Sequence, residues 1–131
     1  LKNELIQKTQ SDSTIHFLGN QSKEMVRELL FASDIFLLLT KNDPNPLTLI
    51  EASFAKLPIL TTKFAGNCNE IVVGNNGVIM NELNFDTFDK AFQSIKKFAD
   101  QKTGAISYDN VKTNFDINNV AINFIEQLQK I

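Results

Sequence analysis

Ile35 to Thr40 forms a nearly unbroken apolar run ending in threonine, with amphipathic helical patterns on either side of it. A strand that reads apolar throughout has both faces covered, which is the condition of a parallel sheet with crossover helices. The same alternation runs along much of the chain. Thr14 to Leu18 reads as a first strand closed by Gly19, Pro58 to Thr62 as a third and Val78 to Met80 as a short last one. The rhythm is β-α-β-α-β-α-β, so the expected fold class is α/β: a parallel sheet with flanking helices and a helical C-terminal tail.

The helices have their own punctuation. Leu1 to Gln10 carries Leu1, Leu5 and Ile6 on one face and starts in mid-pattern, without a cap. Ser22 suits the N-cap of a helix that would bury Met25, Val26, Leu29 and Leu30 and end at Asp34. Asn45 is the expected cap of the next helix and Pro46 its first residue, with Leu47, Ile50 and Phe54 facing inward. A short helix capped by Asn67 follows, and then a turn at Gly74-Asn75-Asn76-Gly77. After cap Asn84, the Phe85, Phe88, Phe92, Ile95 and Phe98 stripe marks a core-facing helix, with an interruption expected at Thr103-Gly104. Tyr108 to Phe115 and Ile117 to Ile131 complete the tail. The stripe Val120, Ala121, Phe124, Ile125 and Leu128 must lie on something.

Composition narrows the function classes. A chain of 131 residues, 43% apolar, reads as a single domain without repeat or linker. At this size about two-thirds of the unfolded surface is buried on folding, so no disulfide is needed. The single cysteine, Cys68, excludes an internal bridge and a cysteine zinc cluster, and suits a reducing, cytoplasmic location. Thirteen basic against fifteen acidic residues give a net charge of -2, which disfavours nucleic acid as a partner. No apolar run approaches the roughly 20 residues of a membrane span, and no charged-then-apolar leader is read at the start.

Open parallel sheets place ligands at the C-terminal ends of their strands, which directs attention to the loops Lys41 to Asn45 and Lys63 to Asn67. Both lead into helix N-termini, where unpaired N–H groups and the positive end of the dipole suit phosphate. Asp43, Glu51 and Glu70 stand there too. Carboxylates are poor partners for phosphate but good acceptors for paired hydroxyls, so the combination suggests a sugar nucleotide.

From Asp34 through Asp43-Pro44-Asn45-Pro46 and Glu51 to Leu57-Pro58-Ile59-Leu60-Thr61-Thr62, the chain resembles the donor-binding half of retaining GT-B glycosyltransferases of the group 1 type. Ala65-Gly66-Asn67-Cys68-Asn69-Glu70-Ile71-Val72 and Asn76-Gly77-Val78-Ile79-Met80 extend the likeness in order, and Ile15-His16-Phe17-Leu18-Gly19 resembles the family's strand-plus-glycine segment. The family hallmark is two glutamates separated by seven residues. The resemblance implies a partial GT-B C-terminal domain with a Rossmann-like sheet. It puts Glu51 on the ribose hydroxyls of the donor and Asp43, standing for the first glutamate, on the transferred sugar as the catalytic-position residue.

Pro44-Asn45-Pro46 replaces the family's frequent Gly-Phe-Gly, which leaves the amides of Asn45, Leu47 and Thr48 to bind donor, together with Gly66 and Glu70. Lys56 stands where the family usually ends this helix with glycine, a change read as structural. The implied reaction moves a hexosyl group from an NDP-sugar to an acceptor hydroxyl with retention, in surface polysaccharide synthesis. It uses neither metal nor cofactor beyond the donor itself. The resemblance also places the acceptor domain and the diphosphate-binding cations upstream of Leu1, so the chain is expected to be part of a longer enzyme and inactive alone. A non-catalytic module that binds nucleotide sugar or protein is the alternative. His16, inside the expected strand, and Cys68 read as structural, and Lys63 reads as solvated.

Overall fold

The structure is a computed structural model that describes residues 2–128. Leu1 and residues 129–131, part of the expected first and last helices, lie outside the described residues. The elements run α1 (Lys2–Thr9), α2 (Lys23–Phe31), β1 (Phe36–Leu38), α3 (Leu47–Phe54), β2 (Ile59–Thr62), α4 (Cys68–Ile71), β3 (Gly77–Met80), α5 (Phe85–Phe98), α6 (Gln101–Asn114) and α7 (Ile117–Leu128).

The three strands pair in parallel in the order β1-β2-β3, with Leu37 opposite Leu60 and Leu60 opposite Val78. Strand β2, the central one, is buried along its whole length because packed side chains cover both of its faces. Its alternation divides the core. Ile59 packs with Leu49, Ala65, Cys68, Ile71 and Val111, from α3, the loop after β2, α4 and α6. Leu60 points the other way, to Met80, Ala91 and Ile95, with Phe88 and Phe92 of α5 stacked beside them. Thr61 and Thr62 are fully buried, and their hydroxyls donate to the carbonyls of Leu38 (3.0 Å) and Thr40 (2.6 Å). Side chains thereby tie β2 to the segment beyond the end of β1, where the loop toward the site begins.

The expected strand at Thr14 to Leu18 is not formed. These residues have no ladder partner among the described residues, and Ile15, His16, Phe17 and Leu18 are exposed. A strand exists only where a neighbour accepts its N–H groups, and β1 ends the sheet on that side. The rhythm therefore shrinks to three strands. Strand β1 itself is shorter than expected, and Leu37 and Leu39 are exposed rather than covered on both faces. Helix α2 forms, with Ser22 accepting from the Met25 amide, but Met25, Val26 and Leu29 remain exposed and only Leu30 is half-buried.

Helix α3 begins one residue later than expected. Pro46 is its N-cap, and no side chain caps it. Its buried face is Leu49, Ala52 and Ser53, while Leu47 is 63% exposed, because the small residues at 52 and 53 let α6 approach closely. Gly104 sits inside α6 for the same reason: a Cβ there would collide with the Lys56 carbonyl oxygen. The helical break falls instead at Ala99-Asp100, where the Asp100 carboxylate accepts from the Thr103 amide at 2.8 Å. That bond holds the Asp100 carboxyl below the usual carboxylate range. Phe85 is 82% exposed and lies outside the core that the rest of its stripe joins. The α7 stripe is likewise exposed at Val120, Phe124, Ile125 and Leu128.

The end of α3 is a Schellman motif: the Leu57 amide donates to Ala52 and the Lys56 amide to Ser53, both at 3.0 Å. Lys56 takes φ +62°, the left-handed region in which a Cβ costs about 1–2 kcal/mol. Its ammonium, 5.2 Å from the Tyr108 ring centroid, recovers about 0.5–1 kcal/mol of that. Lys56→Gly is expected to raise the unfolding free energy by about 0.5–1 kcal/mol, read as a rise in the urea midpoint at unchanged m.

Candidate functional site

The loops that follow β1 and β2 are joined backbone to backbone. Asp43 and Ala65 form an isolated parallel bridge, in which the Asp43 amide donates to the Phe64 carbonyl at 3.1 Å and the Gly66 amide to the Asp43 carbonyl at 2.8 Å. Gly66 presses its Cα against Pro44 so closely that a Cβ would collide with the Pro44 carbonyl. Side chains extend the seam: Asn67 Nδ2 donates to Asn45 Oδ1 at 3.1 Å and to the Pro46 carbonyl at 3.2 Å. Asn67 thus braces the neighbouring loop and does not cap α4 with its side chain, and Asn45 is its partner rather than the cap of α3.

These bonds decide which donors remain for a ligand. The Gly66 amide is taken by Asp43, and the Asn45 amide is held by Asp43 Oδ1 at 3.3 Å in an Asx-type turn. The amides of Leu47 and Thr48 have no acceptor among the described residues. They open α3, where the helix dipole places partial positive charge. Two N–H donors without acceptors thus stand at the C-terminal rim of the sheet, beside the half-buried Asp43.

Glu51 lies one turn further along α3, exposed. With Thr48 it lines a cleft of about 620 Å³ between α2 and α3, whose other wall carries Gln21, Lys23, Arg27 and Phe31. The structure thus sorts the sequence-derived residues into two groups joined by α3: Asp43, Asn45 and Gly66 at the seam, and Thr48 and Glu51 on the cleft, with Leu47 opening the helix between them. Glu70, exposed in the first turn of α4, belongs to neither group; its backbone carbonyl accepts from Asn110 at 2.9 Å. Cys68 is buried in the core and Lys63 is exposed, its ammonium over the Phe64 ring. Lys23 and Arg27 were missed although their spacing of four places both on one helical face. Asn67 was read as a cap, and only the fold shows which loop it meets.

No group of three or more His, Cys, Asp or Glu side chains suited to a metal occurs among the described residues. No helix among them is long and apolar enough to cross a membrane.

A three-stranded parallel sheet with flanking helices, with its polar seam at the strands' C-terminal ends, defines a Rossmann-like fold of the GT-B kind. It superposes on sucrose-phosphate synthase from Thermosynechococcus elongatus with a TM-score of 0.80 at 16% identity. The match covers 98% of this chain and 33% of that one, so the chain spans a third of the length of the structure it resembles. Residues 2–110 match the family described as glycosyl transferases group 1, and the chain belongs to that family. No curated protein sequence matches it significantly.

Proposed function

We propose that the chain is the nucleotide-sugar-binding part of a glycosyltransferase that moves a hexosyl group from an NDP-sugar to an acceptor hydroxyl with retention. The observation that carries this reading is the position of Glu51, exposed on a cleft one turn from the unpaired amides at the start of α3. The diphosphate rests on the Leu47 and Thr48 amides, the ribose hydroxyls on Glu51, and the transferred sugar meets Asp43. No metal is assigned a role. A transition state with oxocarbenium character needs its leaving diphosphate stabilised. A helix terminus contributes about 0.3–2 kcal/mol, against the roughly 8 kcal/mol or more that enzymatic acceleration demands. Further cations and an acceptor-binding domain are assigned to parts of the protein outside these residues.

The open edge of β1 supports that division. Parallel sheets normally have both faces covered, whereas Leu37 and Leu39 beside this edge and Met25, Val26 and Leu29 of α2 are exposed. In the full-length protein, additional strands are assigned to this edge. Surface polysaccharide synthesis in the cytoplasm is the setting that fits the reading. Isothermal titration of the full-length protein with UDP- and GDP-sugars tests it: saturable heat with one of them, at a Kd between about 1 µM and 1 mM, is expected. Folded protein that binds none of them supports a non-catalytic module instead.

A further inference from the structure

Asn67 is 5% exposed, and its Oδ1 is buried with no hydrogen-bond partner among the described residues. The amide cannot turn over to cure this. Its Nδ2 faces two acceptors, Asn45 Oδ1 and the Pro46 carbonyl, and a flip would set oxygen against oxygen at Pro46. Pro46 is buried backbone and cannot move aside, whereas Asn45 is exposed and its side chain can rotate. An enclosed acceptor without a donor is costly for a folded chain, and such groups call for a specific explanation. This one lies against the N-cap of α3, the helix whose first amides are also unpaired.

We propose that Asn67 is a specificity residue for the transferred sugar, with Oδ1 accepting a hydrogen bond from one of its hydroxyls while Nδ2 fixes the direction of the amide. The proposal rests on the nucleotide-sugar reading above. An acceptor needs a donor, and the ionised phosphate oxygens of the ligand carry none at neutral pH. Ribose hydroxyls are assigned to Glu51, further along α3, and the base with its N–H donors lies beyond the ribose, which leaves the sugar, on the other side of the diphosphate and beside Asp43 in the loop that Asn67 braces. Oδ1 is enclosed in this structure, so the contact requires the neighbouring side chains to part, of which Asn45 is the exposed one.

The test is calorimetric titration of the full-length protein with UDP-glucose, UDP-N-acetylglucosamine and GDP-mannose, and with UDP and GDP alone. For the nucleotide sugar that binds most tightly, Asn67→Ala is expected to weaken affinity about tenfold, the worth of one buried hydrogen bond. Affinity for the matching nucleoside diphosphate is expected to fall several-fold less, because the lost brace on Asn45 and Pro46 acts on both ligands while the sugar contact is absent from the diphosphate. Equal loss for both ligands shows that Asn67 only braces the loops and overturns the proposal, as does no loss for either. If alanine does not fold, Asn67→Ser serves. Its hydroxyl leaves a smaller void than alanine but falls short of the positions of both amide atoms, so the same selective loss is expected. Wild-type protein that binds no nucleotide and no nucleotide sugar overturns the underlying reading itself, and this proposal with it.

Discussion

Glu51→Gln in the full-length protein is expected to raise the donor KM by about 10–150-fold at nearly unchanged kcat, the consequence of losing about 1.5–3 kcal/mol of charge-assisted hydrogen bonding. A carboxylate offers two acceptor oxygens to a pair of ribose hydroxyls, whereas the amide replaces one of them with a donor and removes the charge. The ribose is remote from the bond that breaks, so the contact is made equally in the ground and transition states; its loss appears in KM and spares kcat. The fold should not respond. Glu51 is exposed, glutamine forms helix about as well as glutamate, and surface exchanges of this kind stay within about 0.5 kcal/mol. Steady-state kinetics with varied donor, together with a urea unfolding curve, check both halves. A donor KM equal to that of the wild type removes the ribose assignment.

The ribose role comes from the family resemblance, but the place of Glu51 beside the first loop was open to sequence reasoning because it needs only a helix. Glu51 is charged in an otherwise largely apolar helix, and the helix lies where a parallel sheet delivers its ligands. The short-range signals served in the same way: Ser22 and Asn84 both cap helices with their side chains, and β2 and β3 fall within a residue of where the apolar runs put them.

What failed was long-range or concerned small residues. Thr14 to Leu18 has strand chemistry, but pairing depends on a neighbour that local pattern cannot supply. The burial of α2 failed for the same reason, since an amphipathic face declares only that it needs a partner. On α3, the size of Leu47 suggested an inward side chain, while the contact with α6 is made through Ala52, Ser53 and Gly104. Gly104 looked like a breaker and is a packing residue, whereas the Asp100-Thr103 cap that starts α6 went unread. Within the site, the sequence showed which residues flank the two loops. It could not show that Asp43 consumes the amides of Asn45 and Gly66, leaving Leu47 and Thr48 as the free donors.

The seam between those loops makes Gly66→Ala the most damaging small substitution at the site. The added methyl would overlap the Pro44 carbonyl, a backbone atom rather than a flexible side-chain end. Neither side can yield cheaply. Pro44 has its φ fixed by its ring, and Pro46, two residues on, is buried, while across the seam Ala65 is fully buried in the core. The loops must therefore part, which breaks the 2.8 Å bond from the Gly66 amide to Asp43. Overpacking of about 1–3 kcal/mol and a lost hydrogen bond of about 1 kcal/mol together predict a destabilisation of about 2–4 kcal/mol, measured by urea denaturation. The same displacement carries Asp43 and the start of α3 with it. A misplacement of about 1 Å in a positioning group can cost about a hundredfold, so donor affinity is expected to fall by that order in the variant that still folds. Gly19→Ala is the matched control. Its φ of +66° makes alanine strained, but a Cβ there meets nothing within 4 Å, so it should cost about 1–2 kcal/mol of backbone strain and leave donor binding as it was. Gly66→Ala protein that keeps both its stability and its affinity would show that the two loops are not locked together as the hydrogen bonds place them.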